Sequence, residues 1–252
     1  MSQDRHSVVQ SDVIVVGGGL VGTAVAYGLA RSGVDTVVLD QGDDAFRASR
    51  GNFGLVWVQG KGHDLPDYAR WTRSSASRWP AFAQALMADS GVDVQLKQPG
   101  GFHLCFSDAE LLERQSRLQT LQDALGDYPY EMLDAADVKA RLPLIGPKVV
   151  GASYTSQDGH VNPLKLLRAL HTSAQAKGAQ LHGGVQVDRI DCAPGEFRVK
   201  VGQRCFVAPR IVLAAGLGNA ALARQVGLYA PVAPNRRQEL ISERARPFRE
   251  YP

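Results

Sequence analysis

Cysteine is scarce: Cys105, Cys192 and Cys205 are the only three in 252 residues, an odd number without a CxxC spacing. That excludes a disulfide framework, offers no zinc-binding pattern and fits a reducing compartment. Charge of one sign is lacking too. Lys plus Arg number 28 against 25 Asp plus Glu, a balance of +3, too small to argue for a nucleic-acid partner. Even the arginine-rich end, with Arg236, Arg237, Arg244, Arg246 and Arg249, interleaves Glu239, Glu243 and Glu250 and reads as solvated surface. The one uncharged stretch of spanning length, residues 13–30, is broken by Gly17, Gly18, Gly19, Gly22 and Gly28, which argues against a membrane helix. The dozen positions up to residue 12 hold Asp4 and Asp12 against Arg5, unlike the basic start of a signal peptide. No transmembrane segment is expected, and a cytoplasmic location follows, with peripheral membrane association left open.

What is present is a globular composition, 44% hydrophobic and 21% charged, with 26 Gly and 13 Pro, over a length that suits one large domain or two small ones. After a polar arm of about twelve residues, positions 13–16 form a short β-branched run typical of a buried parallel strand. A glycine turn follows, then a helix through Leu20, Ala24, Ala26 and Leu29 that Gly33 can end, then a second buried strand at 36–39 closing on Asp40. The opening is βαβ, which predicts a parallel sheet. Residues 61–150 change character, with helices near 67–87 and 109–125 and a strand at 101–106. A second α/β signal begins at Asn162 as cap and Pro163 at the first helical position, runs to Gly178, and leads into a strand expected at 185–190. A hairpin around Gly202 and a short strand at 211–214 complete the pattern. The predicted fold class is α/β: a Rossmann-like dinucleotide domain, 10–62 with 150–228, into which an α+β substrate domain, 63–149 with 229–252, is inserted.

Gly17, Gly19 and Gly22 spell GxGxxG between a predicted strand and a predicted helix, the context that a dinucleotide fingerprint requires. Gly17 permits a tight turn, Gly19 lets a pyrophosphate approach the backbone, and Gly22 lets helix and strand pack closely, with the amides of Leu20 and Val21 at the helix start. Asp40, followed by Gln41, lies about twenty residues on, where an acidic side chain accepts hydrogen bonds from ribose hydroxyls and disfavours a 2′-phosphate. The fingerprint does not separate FAD from NAD, because both bring adenosine and a pyrophosphate to such a turn.

Further along, residues 90–106 (SGVDVQLKQPGGFHLCF), 158–163 (DGHVNP) and 212–216 (VLAAG), together with the fingerprint, make the chain similar to the D-amino-acid oxidase, glycine oxidase and sarcosine oxidase family. The resemblance runs over nearly everything from residue 12 onward. Within that family, ASRGNFGLVWVQGKG at 48–62 resembles the flavin subunits of opine oxidases, D-hydroxyproline dehydrogenases and hydrogen cyanide synthases. The resemblance implies FAD as cofactor. It implies that Ala48, Ser49, Arg50 and Asn52 lie along the phosphates and ribityl chain, with Gly54 and Leu55 near the isoalloxazine edge. It implies that Val187 offers its backbone to adenine, and that Ala214, Ala215 and Gly216 pass close to the pyrophosphate. For Arg50 an ordinary surface ion pair, and for Asn52 a plain turn role, stay open.

The activity implied is oxidation of an amine: hydride leaves the α-carbon of a small amino acid or secondary amine for flavin N5, and water hydrolyses the resulting imine. Lys61 and His63 are the nearest titratable candidates, although solvated loop positions suit them equally. His103 and His160 read as structural. Members of the family generally continue well past residue 252, so the strands beyond 232–243, the substrate-carboxylate clamp and a closing glycine-rich segment are expected outside this sequence. Weak or no activity is therefore expected of the isolated chain; the alternatives are a truncated or catalytically silent FAD-binding subunit completed by a partner chain and, second, an NAD-dependent dehydrogenase.

Overall fold

The computed structural model describes residues 8–42 and 47–235; the expected start of the substrate-domain sheet at 232–243 and the arginine-rich end lie largely outside them. In chain order the elements are β1 (Val8–Gln10), β2 (Val13–Val16), α1 (Leu20–Arg31), β3 (Thr36–Leu39), β4 (Leu55–Val56), α2 (Pro66–Ser90) and β5 (Gly101–Cys105). There follow α3 (Asp108–Leu125), β6 (Glu131–Asp134), α4 (Ala135–Arg141), β7 (Gly151–Thr155), β8 (Gly159–His160) and α5 (Pro163–Ala176). The chain closes with β9 (Gln180–His182), β10 (Arg189–Ala193), β11 (Glu196–Val201), β12 (Arg204–Ala208), β13 (Arg210–Leu213) and α6 (Asn219–Gln225).

Packing divides these into two compact units. Of the described residues, the first comprises 8–42, 47–52, Ala85–Val94 and 163–235, and the second Phe53–Gln84 and Gln95–Asn162. The sequence placed its divisions at 62 and 150. The difference has a local cause: Leu55 pairs with His160 and Val56 with Gly159, and Val161 N–H donates to the Gly54 carbonyl. These short ladders hold residues 54–56 and 158–161 in one body.

In the first unit, a four-stranded parallel sheet runs in the order β13-β2-β3-β9. Strands β2 and β3 are buried at every position, as expected where both faces of a parallel sheet are covered. Val13, Val15 and Val38 pack with Ala26, Val25 and Leu29 of α1 on one face. Ile14, Val16, Val37 and Leu39 turn to the other face and pack with Ile190, Val199 and Phe206 of a second sheet, ordered β1-β12-β11-β10. Pro163 opens α5 and Gly178 turns with φ +98 after it, as the capping signals predict.

Two expectations need correction here. The arm before residue 12 is not all loose, because Val8, Val9 and Gln10 pair in parallel with Cys205, Phe206 and Val207. The strand expected at 185–190 is also misplaced. Alternating valines suggest it, yet 185–188 lie outside any ladder, and pairing starts only at Arg189 opposite Lys200. The strand that joins the parallel sheet is β9, five residues earlier.

The second unit carries the antiparallel sheet β5-β7-β6. Phe102, Leu133 and Ala152 pack against Val138 of α4, while Leu118 and Leu121 of α3 pack with Ala69 and Tyr128. Helix α3 starts in a reciprocal cap close to a capping box: Ser107 Oγ accepts the Glu110 N–H at 3.2 Å, and the Glu110 carboxylate accepts the N–H of Phe106, one residue before the cap, at 2.7 Å. Gly126, with φ +72, ends it.

Candidate functional site

The carboxyl ends of β2, β3 and β13 gather the glycine turn, Asp40 and Ala214. Gly17 has φ +111, and a Cβ there would fall 2.4 Å from the Ala214 carbonyl oxygen, so no side chain fits. Its N–H donates to the Leu39 carbonyl at 2.8 Å, and the Ala214 N–H donates to Val16 at 2.8 Å, locking the turn across three strand ends. Gly22 is equally constrained, since a Cβ would lie 1.9 Å from the Gly17 carbonyl oxygen. That close approach puts the first turn of α1 directly against the loop.

The turn then presents its amides. Gly18 N–H donates to Asp40 Oδ2 at 2.7 Å, and Leu20 N–H donates to Ser49 Oγ at 2.9 Å. Gly19, the helix N-cap, supplies no side-chain cap, and the amides of Val21 and Gly22 have no partner among the described residues. Val21 is 70% exposed. Unpaired donors at the positive end of a helix form an anion-binding surface.

Asp40 is held from several sides. Its Oδ1 accepts the Gly42 N–H at 2.9 Å, and the Arg47 guanidinium lies 3.3 and 3.2 Å from Oδ1 and Oδ2. Its backbone N–H donates to His182, and its carbonyl accepts from Val185. The remaining expected positions fall as follows. Gln41, Ala48 and Arg50 are exposed, and Asn52 donates its amide to the Ser49 carbonyl at 3.0 Å. Val187 is partly buried, its backbone N–H and carbonyl unpaired among the described residues. Ala215 N–H donates to Asn219 Oδ1 at 2.9 Å, and Gly216 turns with φ +57. Gly54 and Leu55 belong to the second unit, Gly54 with φ +71 and Leu55 exposed on β4.

A different polar centre lies buried in the second unit. Asp158 is fully buried; its Oδ1 accepts the Val58 N–H at 2.6 Å and its Oδ2 accepts Gln59 Nε2 at 2.8 Å. Gln59, also fully buried, donates to the Gly101 carbonyl at 2.9 Å. Its Oε1 accepts from Ser153 Oγ at 2.6 Å and from Arg114 Nη2 at 3.0 Å. Arg114 also donates to Ser153 Oγ and to the Gln59 carbonyl. Burial pushes the Asp158 carboxyl from its ordinary 3.8 up to about 6, against the lowering pull of the Val58 and Gln59 donors. Burial and the Asp158 charge push the Tyr128 phenol up to about 12. Burial first and the Arg114 charge second hold His63 below its ordinary value. Its Nε2 faces Arg114 at 3.5 Å, and since a guanidinium carries no acceptor, only a ring lone pair can meet it there. Lys61 is exposed, as is His103 on β5, while His160 pairs with Leu55.

The profile of the DAO family, FAD dependent oxidoreductases, matches residues 12–251. The chain belongs to that family. It is 44% identical over 235 residues to an opine oxidase subunit of Agrobacterium tumefaciens (strain Ach5), across 92% of this chain and 63% of that protein. It is 29% identical over 219 residues to glycine oxidase of Bacillus licheniformis, across 86% of this chain and 57% of the relative. Among solved structures, glycine oxidase from Geobacillus kaustophilus superposes with a TM-score of 0.80 at 25% identity, over 87% of this chain and 59% of that one. The chain thus spans roughly three-fifths of these relatives' lengths.

FAD is the cofactor of the DAO family, which decides between the two dinucleotides that the fingerprint admits. The residues present fit such a group. A side chain at Gly17 or Gly22 would strike backbone, the Val21 and Gly22 amides have no partner among the described residues, and Asp40 stands at the end of β3. Sequence reasoning missed Arg47 on Asp40. It also missed the pair that steadies the Gly18 carbonyl, Thr23 Oγ1 at 3.0 Å and His171 Nε2 at 2.7 Å. His171 is 153 positions from Gly18, and no local pattern announces it.

Proposed function

We propose that this DAO-family chain serves an FAD-dependent oxidation of the C–N bond of a small amino acid or secondary amine, of the opine, D-amino-acid, glycine or sarcosine type. The observation that carries the cofactor part of this reading is the glycine turn, where the Gly18 N–H meets Asp40 and the amides of Val21 and Gly22 have no partner among the described residues. The names of the relatives, an opine oxidase subunit and glycine oxidase, supply the substrate class. In this reading the first unit is the nucleotide-binding domain and the second belongs to substrate handling.

The roles follow from chemistry. Gly17, Gly19 and Leu20 shape the turn that admits the pyrophosphate, and Val21 and Gly22 bring it backbone donors. Asp40 accepts the ribose hydroxyls, sharing its oxygens with Gly18, Gly42 and Arg47, and Gln41 flanks it. Ala48, Ser49, Arg50 and Asn52 follow the phosphates and ribityl chain, Gly54 and Leu55 meet the isoalloxazine edge, Val187 pairs with adenine, and Ala214, Ala215 and Gly216 pass beside the pyrophosphate. When bound, FAD supplies the hydride acceptor, N5, for the carbon that carries nitrogen; water then hydrolyses the imine product. No strong base is required of the chain if the substrate amine is bound neutral.

That the opine oxidase relatives are named as subunits favours a further element, a partner chain that completes the enzyme. The test is a purification followed by anaerobic mixing. The protein should release FAD on denaturation, and its visible band should bleach with an opine, glycine, sarcosine or a D-amino acid, alone or with partner subunits added. Protein that neither retains nor takes up FAD would refute the cofactor assignment. Bound flavin that no such amine bleaches, with or without partner subunits, would refute the reaction.

A further inference from the structure

The buried centre around Asp158 has no part in the roles assigned above, and its geometry is not that of an ordinary core. A carboxylate and a guanidinium are buried in one network without touching: Gln59 stands between them, donating to Asp158 and accepting from Arg114. Removing charge from water is costly unless every lone pair is matched, and here the matching donors come from one segment. Val58 N–H and Gln59 Nε2 both serve Asp158. Tyr128 Oη donates to the Val58 carbonyl at 3.1 Å, and Arg114 donates to the Gln59 carbonyl. The backbone of residues 58–59 is thus gripped on both its donor and its acceptor sides.

That segment is continuous with Gly54–Val56. Asp158 is likewise continuous with Gly159 and His160, which pair with Val56 and Leu55. Gly159 admits no side chain, because a Cβ would lie 2.2 Å from the Lys97 carbonyl oxygen. A Cβ at Gly101 would lie 2.8 Å from the Asp158 Cβ and 2.6 Å from the Trp57 ring. The register between 54–59 and 158–161 therefore has a side-chain determinant at its end, the Asp158 to Gln59 pair.

We propose that Asp158 is a positioning residue: acting through Gln59 and the Val58 amide, it sets the placement of residues 54–59 and hence of the edge offered to the flavin ring. The second half of this statement rests on the reading that Gly54 and Leu55 meet the isoalloxazine. The first half does not.

Two substitutions and their combination test it. In Asp158→Asn the new Nδ2 meets Gln59 Nε2, donor against donor, and Gln59 cannot turn over without opposing Arg114 and Ser153. In the double variant Asp158→Asn with Gln59→Glu, the polarity is reversed and matched again when the new carboxyl carries its proton toward the Gly101 carbonyl that Gln59 Nε2 served: the new amide donates, while the carboxyl accepts from it, from Ser153 and from Arg114. Lys61, exposed just beyond the gripped backbone, reports the segment directly as a trypsin site in FAD-free protein. The expected result is cleavage after Lys61 accelerated about tenfold or more in Asp158→Asn, a shift of the visible band of bound FAD, and return of both toward wild type in the double variant. Cleavage and spectrum unchanged in Asp158→Asn would overturn the proposal, as would defects that persist in the double variant. Faster cleavage with an unshifted flavin band would overturn the flavin part and reduce the pair to core structure. If wild-type protein takes up no FAD, the cofactor reading fails by itself, and the cleavage series still decides whether Asp158 positions the segment. If Asp158→Asn alone does not fold, a double variant that is cleaved and coloured like wild type supports the pairing, and one that also fails to fold overturns it.

Discussion

Replacing Gly19 with alanine adds one methyl group at the mouth of the glycine turn, and its cost divides into two parts that can be measured separately. The backbone there, φ −74 and ψ −173, is open to any residue, so no strain arises. The new Cβ would lie 2.6 Å from Ser49 Oγ, the mobile end of a small side chain, which must swing away and leave the Leu20 N–H without its acceptor. Loss of a helix cap costs about 1 kcal/mol, which in a protein of this size lowers Tm by about 2–4 °C. On the reading that the pyrophosphate passes Gly19, the same methyl also stands in its way. Forfeiting one charge-assisted hydrogen bond costs about 1.5–3 kcal/mol, or roughly a tenfold to hundredfold loss of FAD affinity. In a Ser49→Ala background the clash is absent, so Gly19→Ala should then leave Tm where Ser49→Ala alone puts it while the affinity deficit persists. Thermal melting and FAD fluorescence titration of the four proteins check this. A double variant that binds FAD as tightly as Ser49→Ala would show that the pyrophosphate does not pass Gly19, and the site assignment would fall with it.

Gly22→Ala should behave differently, because the 1.9 Å approach is to the Gly17 carbonyl, a backbone atom that has nowhere to move; a destabilisation beyond about 3 kcal/mol is expected. Soluble protein melting within a few degrees of wild type would contradict that packing. Stability should also depend on pH through Asp158. Its carboxyl titrates near 6 in the fold and near 3.8 in the unfolded chain, so between those values the native state binds the proton more tightly and stability falls as pH rises. Above about pH 6 the loss is complete and constant. The difference in unfolding free energy between wild type and Asp158→Asn should carry this slope, and a flat difference from pH 4 to 7 would refute it.

How far the site could be read in advance depended on whether its determinants are local. The strand at 13–16, Gly17 and Gly22 announce themselves within ten positions, because a strand buried on both faces must be continuously apolar and a φ of +111 requires glycine. Pro163 marks the start of α5 in the same local way. Strand β1 shows no such mark: Val8, Val9 and Gln10 become a strand only because β12 lies alongside, a partner almost two hundred positions away. The irregular 185–188 stretch alternates like a strand, but Val185 donates its N–H to the Asp40 carbonyl, so its backbone is committed to the carboxyl end of β3 rather than to a ladder. The side-chain partners were the least legible part. Arg47 on Asp40, His171 on Gly18 and Arg114 on Gln59 join residues 7, 153 and 55 positions apart, with no periodicity to connect them. The two polar centres differ in just this respect. At the glycine turn, backbone conformation does the work and the sequence displays it. At Asp158, selectivity lies in which amide oxygen faces which donor, so a single Gln59 holding two charged groups apart becomes visible only when the chain is folded.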